Sequence, residues 1–292
     1  MRLSYLPPLM VYLAAGISAI TNVVGAFFVK DYLGLSAVFL AGLAFWVNVP
    51  WALKMPLGHL VDLIWRFKSL LVFIGAGLIA ASLGIMIGLL SHPDEMRAIM
   101  PAEAWYVLST LLAPVGYVVQ DVVADAMTVE AVPSVDAHGN PYPDREVKVM
   151  HTTMQTLGRF AVISGLIAVS LLNIFMFTGI EGLSQAEKAG VYADIYLLAL
   201  AIPVISVIGV TLGTVMLRVR ARHLRQQGLA PAQIERLLFA PAEETKPNWW
   251  IFGGSLAFVA LTLAVGLGQV PFAQEIVFLG SLAIIVFLMR RL

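Results

Sequence analysis

The chain has 292 residues, 60% of them hydrophobic and only 12% charged, with a mean hydropathy of +0.88. That charged share is about half of the roughly 25% found in soluble domains, too little to cover so large an apolar mass in water. Eighteen basic and eighteen acidic residues cancel, and Cys is absent, which excludes wholesale nucleic-acid binding through excess positive charge, thiolate catalysis and thiolate metal ligation.

A bilayer core requires about 20 mainly apolar residues per helical crossing. In chain order the sequence predicts eight such helices, at residues 7–29, 36–57, 69–90, 105–129, 154–178, 193–217, 249–268 and 272–289. The first contains Val24-Gly25-Ala26, a pattern a signal peptidase accepts, but its apolar run exceeds the ~7–15 residues of a signal core and is read as a crossing. Helix two carries Pro50 and Pro56, helix four Pro114 and helix six Pro203. Each removes a backbone donor, which suits either an ordinary packing kink or a moving joint. Gly84 and Gly88 of helix three form a GxxxG packing face.

Between the sixth and seventh helices the run RVRARHLRQQG, from Arg218 to Gly228, is placed beside anionic headgroups. A short amphipathic helix follows over residues 233–238, and Trp249 with Trp250 reads as an interfacial anchor. The expected organisation is therefore all-α and polytopic: a six-helix bundle over 1–217, a cytoplasmic linker over 218–248 and a helix pair over 249–292.

With the N-terminus inside, the inner loops hold Arg2, Arg66, Lys68, Arg145, Lys148, Arg218, Arg220, Arg222, Arg225, Arg236, Lys246, Arg290 and Arg291, against Lys30, Arg97 and Lys188 outside. The asymmetry predicts a multi-pass protein with both termini in the cytoplasm.

Four ionisable residues fall inside predicted helices: Lys54, Asp121, Asp125 and Arg159. Each costs at least ~2.5–3.5 kcal/mol at the bilayer centre, so each is expected to face protein or water. Counting ~1.5 Å per residue from the inner boundary puts Asp125, Asp121, Arg159 and Lys54 at about 8, 14, 10 and 12 Å, one shared layer. Asp121 and Asp125 lie four apart on one helical face, bordered by Gln120 and Thr128, with Glu130 at the helix end. Two carboxylates so placed in a low dielectric do not both stay ionised without a cation beside them. A proton or cation relay fits this layer, and so does a static network joining helices two, four and five. His92, His138 and His223 fall in loops, and His59 and His151 at helix ends, without metal-site spacing, so neither metal nor cofactor is expected.

Helix two ends in Gly58-His59-Leu60-Val61-Asp62-Leu63-Ile64-Trp65-Arg66-Phe67-Lys68. Here Gly58 allows close backbone approach, Asp62 pairs across a sliding interface, and Arg66 with Lys68 anchors the turn. The stretch resembles the G-x-x-x-D-x-x-x-R loop of the major facilitator superfamily, with Leu63 where a basic residue is usual and Trp65 where Gly is common. DVVADAMTVE, from Asp121 to Glu130, resembles a segment of the folate/biopterin transporter family within that superfamily. Leu33-Gly34-Leu35-Ser36, the stretch from Pro50 to Gly58, and Arg159 are similar to features of the same family. The resemblance spans roughly residues 30–165.

The resemblance implies that the first six helices form the N-terminal half of a major facilitator fold, and the two-helix hairpin that follows departs from the family's two six-helix halves. It further implies a proton-coupled secondary transporter in a bacterial inner membrane, a symporter rather than an enzyme, moving a folate- or pterin-like or other small organic solute by alternating access. Asp121 and Asp125 then hold protons, Arg159 and Lys54 act as counter-charges or substrate ligands beside Gln120 and Glu130, and Gly58, Asp62, Arg66 and Lys68 form the inner gate. Such a site needs two halves, so a second copy or a missing C-terminal half is an expected partner. A polytopic prenyltransferase would use Asp-x-x-x-Asp to hold Mg²⁺, but a second acidic cluster is lacking. An intramembrane aspartyl protease needs Gly-x-Gly-Asp, where this chain has Gly266-Leu267-Gly268-Gln269. A non-transporting assembly factor on a transporter fold remains an alternative.

Overall fold

Long apolar runs leave helix as the backbone's way of satisfying its own polar groups in lipid. The structure, a computed structural model, describes residues 3–28, 32–133, 135, 141–238, 247–267 and 271–291. Of the residues considered above, Arg2, Lys30, His138, Lys246, Gly268 and Gln269 lie outside these, as do the side chains of Met55 and Arg236. Apart from an isolated bridge between Val135 and Pro141, the regular structure described is helical.

The first crossing is split into α1 (Leu6–Ile17) and α2 (Ile20–Phe28). Pro7 and Pro8 occupy the first turn of α1, where a missing N–H leaves no bond unmade. The second crossing is also split, into α3 (Ala37–Ala52) and α4 (Lys54–Leu63). Ser36 caps α3 by accepting from Phe39 N at 3.2 Å, and Pro50 and Pro56 flank the break at Leu53. Next come α5 (Lys68–Ser91), the short α6 (Pro93–Ile99), α7 (Ala102–Ala131) and α8 (Asp144–Phe177). A Ser184–Glu187 capping box opens α9 (Gln185–Ala199), and α10 (Ala201–Gln226) follows with Pro203 in its first turn. α11 (Pro231–Leu238) folds back on α10 through Leu224, Ile234 and Leu238. The antiparallel pair α12 (Trp249–Leu267) and α13 (Ala273–Arg291) closes the described chain; its ends meet where the Arg291 guanidinium lies 5.2 Å from the Trp250 ring centre.

Among the described residues six stretches are long and apolar enough to cross a membrane: Leu3–Phe28, Val38–Leu63, Trp65–Ser91, Ala102–Ala131, Asp144–Gly182 and Gln185–Gln226. The expected eight are thus six long crossings and a shorter pair, whose 19-residue helices reach about 28 Å, barely the ~30 Å of a bilayer core. The basic run expected as a loop continues α10 as helix through Gln226. The protein is an all-α, multi-pass membrane protein.

Across the bundle the packing order is α8, α1, α10, α5, α7, α3 with α4, then α12. Pro114 sits inside an unbroken α7. The α5–α7 crossing is set by Gly75 and Gly116: a Cβ on Gly75 would fall 2.7 Å from Gly116 O, and one on Gly116 2.6 Å from Gly75 O. α1 and α8 cross at Gly16 and Gly165, where an added Cβ on Gly165 would meet Gly16 backbone at 2.8 Å. The GxxxG reading of helix three is corrected by the same geometry, because Gly84 has open space around it and Gly88 meets only the Met96 side chain. Ile20, Ile79, Tyr192, Ile195 and Ile202 fill the main core, and Val72, Val118, Val123 and Val210 a second. The outer face of α8, with Phe160, Ile163, Ile167 and Leu171, is exposed and apolar, as a lipid-facing helix requires.

Candidate functional site: a lysine between two carboxylates

α7 presents Asp121 and Asp125 one turn apart, and α4 begins at Lys54 directly after the break at Leu53. Lys54 Nζ lies 2.6 Å from Asp121 Oδ2 and 3.1 Å from Asp125 Oδ2. The other oxygen of Asp125, Oδ1, accepts from the Tyr12 hydroxyl at 2.6 Å. Tyr12 is held in place by α8: its ring lies where a Cβ on Gly158 would come within 2.9 Å. The Asp121 side chain is 18% exposed, Lys54 42% and Asp125 50%, so the cluster is closed at Asp121 and open at Asp125. One ammonium faces two carboxylates, leaving a formal charge of −1 that a proton or a small cation can balance at the half-exposed Asp125 carboxylate. Beside Asp121 a void of about 10 Å³, bounded also by Tyr12, Tyr117 and Gln120, is near the size of one water.

The remaining sequence-derived candidates divide differently. Gln120 adjoins Asp121 but turns into the core, donating to Val72 O at 3.3 Å and accepting from Ser206 Oγ at 3.0 Å. It ties α7 to α5 and α10. Glu130 pairs with Lys68 rather than with the cluster, and Lys68 also donates to Trp65 O at 3.1 Å with its ammonium 4.0 Å from the Trp65 ring centre. Arg159 shares the layer but not the network: it is exposed, and makes no ion pair among the described residues. Gly158 and Gly165 turn one face of α8 toward α1, and the next residue after Gly158 projects about 100° round the helix. Asp62 and Arg66 are exposed without an ion pair among the described residues. The close backbone approach expected at Gly58 is absent, since a Cβ there would meet nothing within 4 Å.

Two residues stand out that the sequence did not single out for these roles. Tyr12 completes the carboxylate cluster, although an isolated Tyr in an apolar helix carries no signal of such a contact. His59 is buried, accepts from Asn248 N–H at 2.9 Å through Nε2, and meets the Phe252 ring edge-on at 4.8 Å. Asn248 in turn caps α12, its Oδ1 accepting from Trp250 N at 3.0 Å and Ile251 N at 3.3 Å. This joint fastens the helix pair to α4. Among the described residues no three His, Asp or Glu side chains converge as a metal site would require.

No protein-family model, curated protein or solved structure matches the chain.

Proposed function

We propose that this chain is a transport module of the major facilitator type, with the Lys54–Asp121–Asp125–Tyr12 cluster as its ion-coupling site. The observation that carries the reading is Lys54, the first residue after a helix break, bridging two carboxylates on an unbroken helix. A proton arriving at the open Asp125 discharges one carboxylate and leaves Lys54 balanced against Asp121 alone. Of the two ion pairs that join α4 to α7 next to the joint at Leu53, one is then lost. Arg159, exposed at similar depth on α8, supplies a positive group for the carboxylate of a folate- or pterin-like organic solute. Lys68–Glu130, with Asp62 and Arg66, closes the inner end. The setting is a bacterial inner membrane with that end in the cytoplasm, and a second copy or a complementary half completes the solute path.

Proteoliposomes containing the full chain, alone and joined to a second six-helix half, test this by uptake of a pterin or folate with and without a pH gradient. Gradient-driven uptake that Asp121→Asn and Asp125→Asn each reduce by about tenfold or more is the expected result, in keeping with loss of an essential proton acceptor. Uptake that ignores the gradient and survives both substitutions would defeat the coupling role and leave the cluster a static network. Mg²⁺-dependent turnover of a prenyl diphosphate would select the enzyme alternative instead.

A further inference from the structure

A cavity of about 760 Å³ opens at the end of the bundle where Ser4, Arg66, Glu130 and Arg218 come together, away from the carboxylate cluster. Its size falls within the roughly 300–1,000 Å³ of small-molecule sites. The floor is apolar, built by Pro7, Pro8 and Met127 with Val210 and Gly213 of α10. The rim carries Arg66, Arg218, Arg220 and His223. Of the two acidic residues present, Glu130 is taken up by Lys68, and Arg220 reaches Val135 O at 3.3 Å, so Arg66 and Arg218 are the guanidinium groups the rim offers, against the one carboxylate of Glu235.

The polarity of the lining changes along one helix. From Val210 to Leu217 the wall is apolar for about 10 Å at ~1.5 Å per residue, and from Arg218 onward it is basic. Thr214, within the apolar stretch, spends its hydroxyl on Val210 O at 3.0 Å. A free anion would use only the rim, whereas an amphiphile uses both zones. The cavity is open along α10: Val215 and Val219 line it and are 48% and 57% exposed, and helical spacing puts them on one face with the exposed Val204 and Ile208. Its wall is therefore continuous with surface that faces acyl chains. Basic pockets between membrane helices suit anionic headgroups.

We propose that this cavity is a binding site for an anionic phospholipid, its phosphate held by Arg66 and Arg218 at the rim and its apolar part lying along Val210–Leu217. The site shares Arg66 with the inner end of the transport reading but does not rest on that reading, and its test measures lipid rather than uptake, so the two fail separately.

The full chain in neutral detergent is titrated with phosphatidylglycerol, phosphatidylcholine or inorganic phosphate. Retained lipid is counted by native mass spectrometry, and thermal unfolding is followed in parallel. Phosphatidylglycerol is expected to be retained and to raise the unfolding temperature, while phosphatidylcholine and inorganic phosphate do neither. Arg66→Gln and Arg218→Gln are expected to weaken phosphatidylglycerol binding about fivefold each, the equivalent of about 1 kcal/mol per arginine near a headgroup. Both positions are exposed, so the single variants serve where the double variant does not fold. Arg222→Gln with Arg225→Gln removes two positive charges from α10 outside the lining, twice what either single variant removes, and is expected to leave binding within about twofold, since screened surface charge acts weakly. An equal loss in that control would reduce the effect to diffuse attraction and overturn the site. Equal retention of phosphatidylcholine, or equal stabilisation by inorganic phosphate, would overturn the anionic-lipid assignment.

Discussion

The Tyr12 hydroxyl on α1 donates to Asp125 Oδ1 on α7 at 2.6 Å, across 113 residues of sequence. Because Asp125 Oδ2 faces Lys54 at 3.1 Å, this one carboxylate is gripped from both sides by groups on different crossings. Tyr12 is itself seated on Gly158. The cluster thus joins the first, second and fourth crossings by polar contacts and rests on the fifth.

Tyr12→Phe keeps the ring on Gly158 and removes only the donor. Asp125 is half exposed, so water can replace the lost bond, and the stability change is expected to stay below about 1 kcal/mol. Pterin or folate uptake in proteoliposomes is expected to fall by about tenfold, the equivalent of about 1.5 kcal/mol for a hydrogen bond to a charged group. Unchanged uptake would place Tyr12 outside the coupling site.

Lys54→Met leaves Asp121 and Asp125 facing each other without their cation. Breaking a fully buried pair costs about 3–5 kcal/mol; with Lys54 and Asp125 partly open to solvent, a loss of about 1–2 kcal/mol is expected. Adding Asp121→Asn to Lys54→Met removes the repulsion and should restore most of it, as neighbouring sites couple. Thermal unfolding of the single and double variants in one detergent measures the difference, and strictly additive losses would contradict the geometry.

Gly75→Ala and Gly84→Ala compare two glycines of α5. At Gly75 the added methyl would lie 2.7 Å from Gly116 O and 2.8 Å from Gln120 Cγ, so α5 and α7 must part, at about 1–3 kcal/mol. At Gly84 nothing lies within 4 Å, and Ala in a helix interior is expected to be neutral or stabilising by up to about 1 kcal/mol. Equal effects in chemical or thermal unfolding would contradict the assigned crossing.

His59→Ala deletes the acceptor of the Asn248 N–H and the ring against Phe252. The chain contains no Cys, so spin labels on cysteines introduced at the exposed Leu60 and Trp249 report a single distance. That distribution is expected to broaden in the variant as the helix pair loosens from α4. An unchanged narrow distribution would show that other contacts hold the pair.

Hydropathy alone made the membrane class and the helical fold legible, because about 20 consecutive apolar residues have few other destinations. The pairing of Asp121 and Asp125 with Lys54 was also readable, from helical spacing and from depth. Depth fixes height but not azimuth, and Arg159 shows the difference: Gly158 and Gly165, seven apart, decide which face of α8 meets α1 and turn Arg159 outward. Those glycines are the sequence signal for its exposure. The packing face of helix three was misread at Gly84 and Gly88 because a small residue permits close approach without naming its partner. Gly75 is used because Gly116 stands opposite it. Two apolar runs at the chain's far end satisfied a length criterion, yet form a hairpin of shorter helices that packs on α3 and α4 and is joined to α4 through His59.

α7 carries two kinds of attachment on adjacent residues. Gln120 bonds to α5 and α10 close to the glycine crossing, while Asp121 reaches α4 one residue beyond its joint. In mechanical terms the transport reading makes α7 a stator: one side is bolted to α5 and α10, and the other carries α4, packed on it through Val61 and tied to it by Lys54 just past the break at Leu53. On that reading a pull on Lys54 is taken up by α4 rather than by α7, and through His59 it reaches Asn248 and the start of the helix pair.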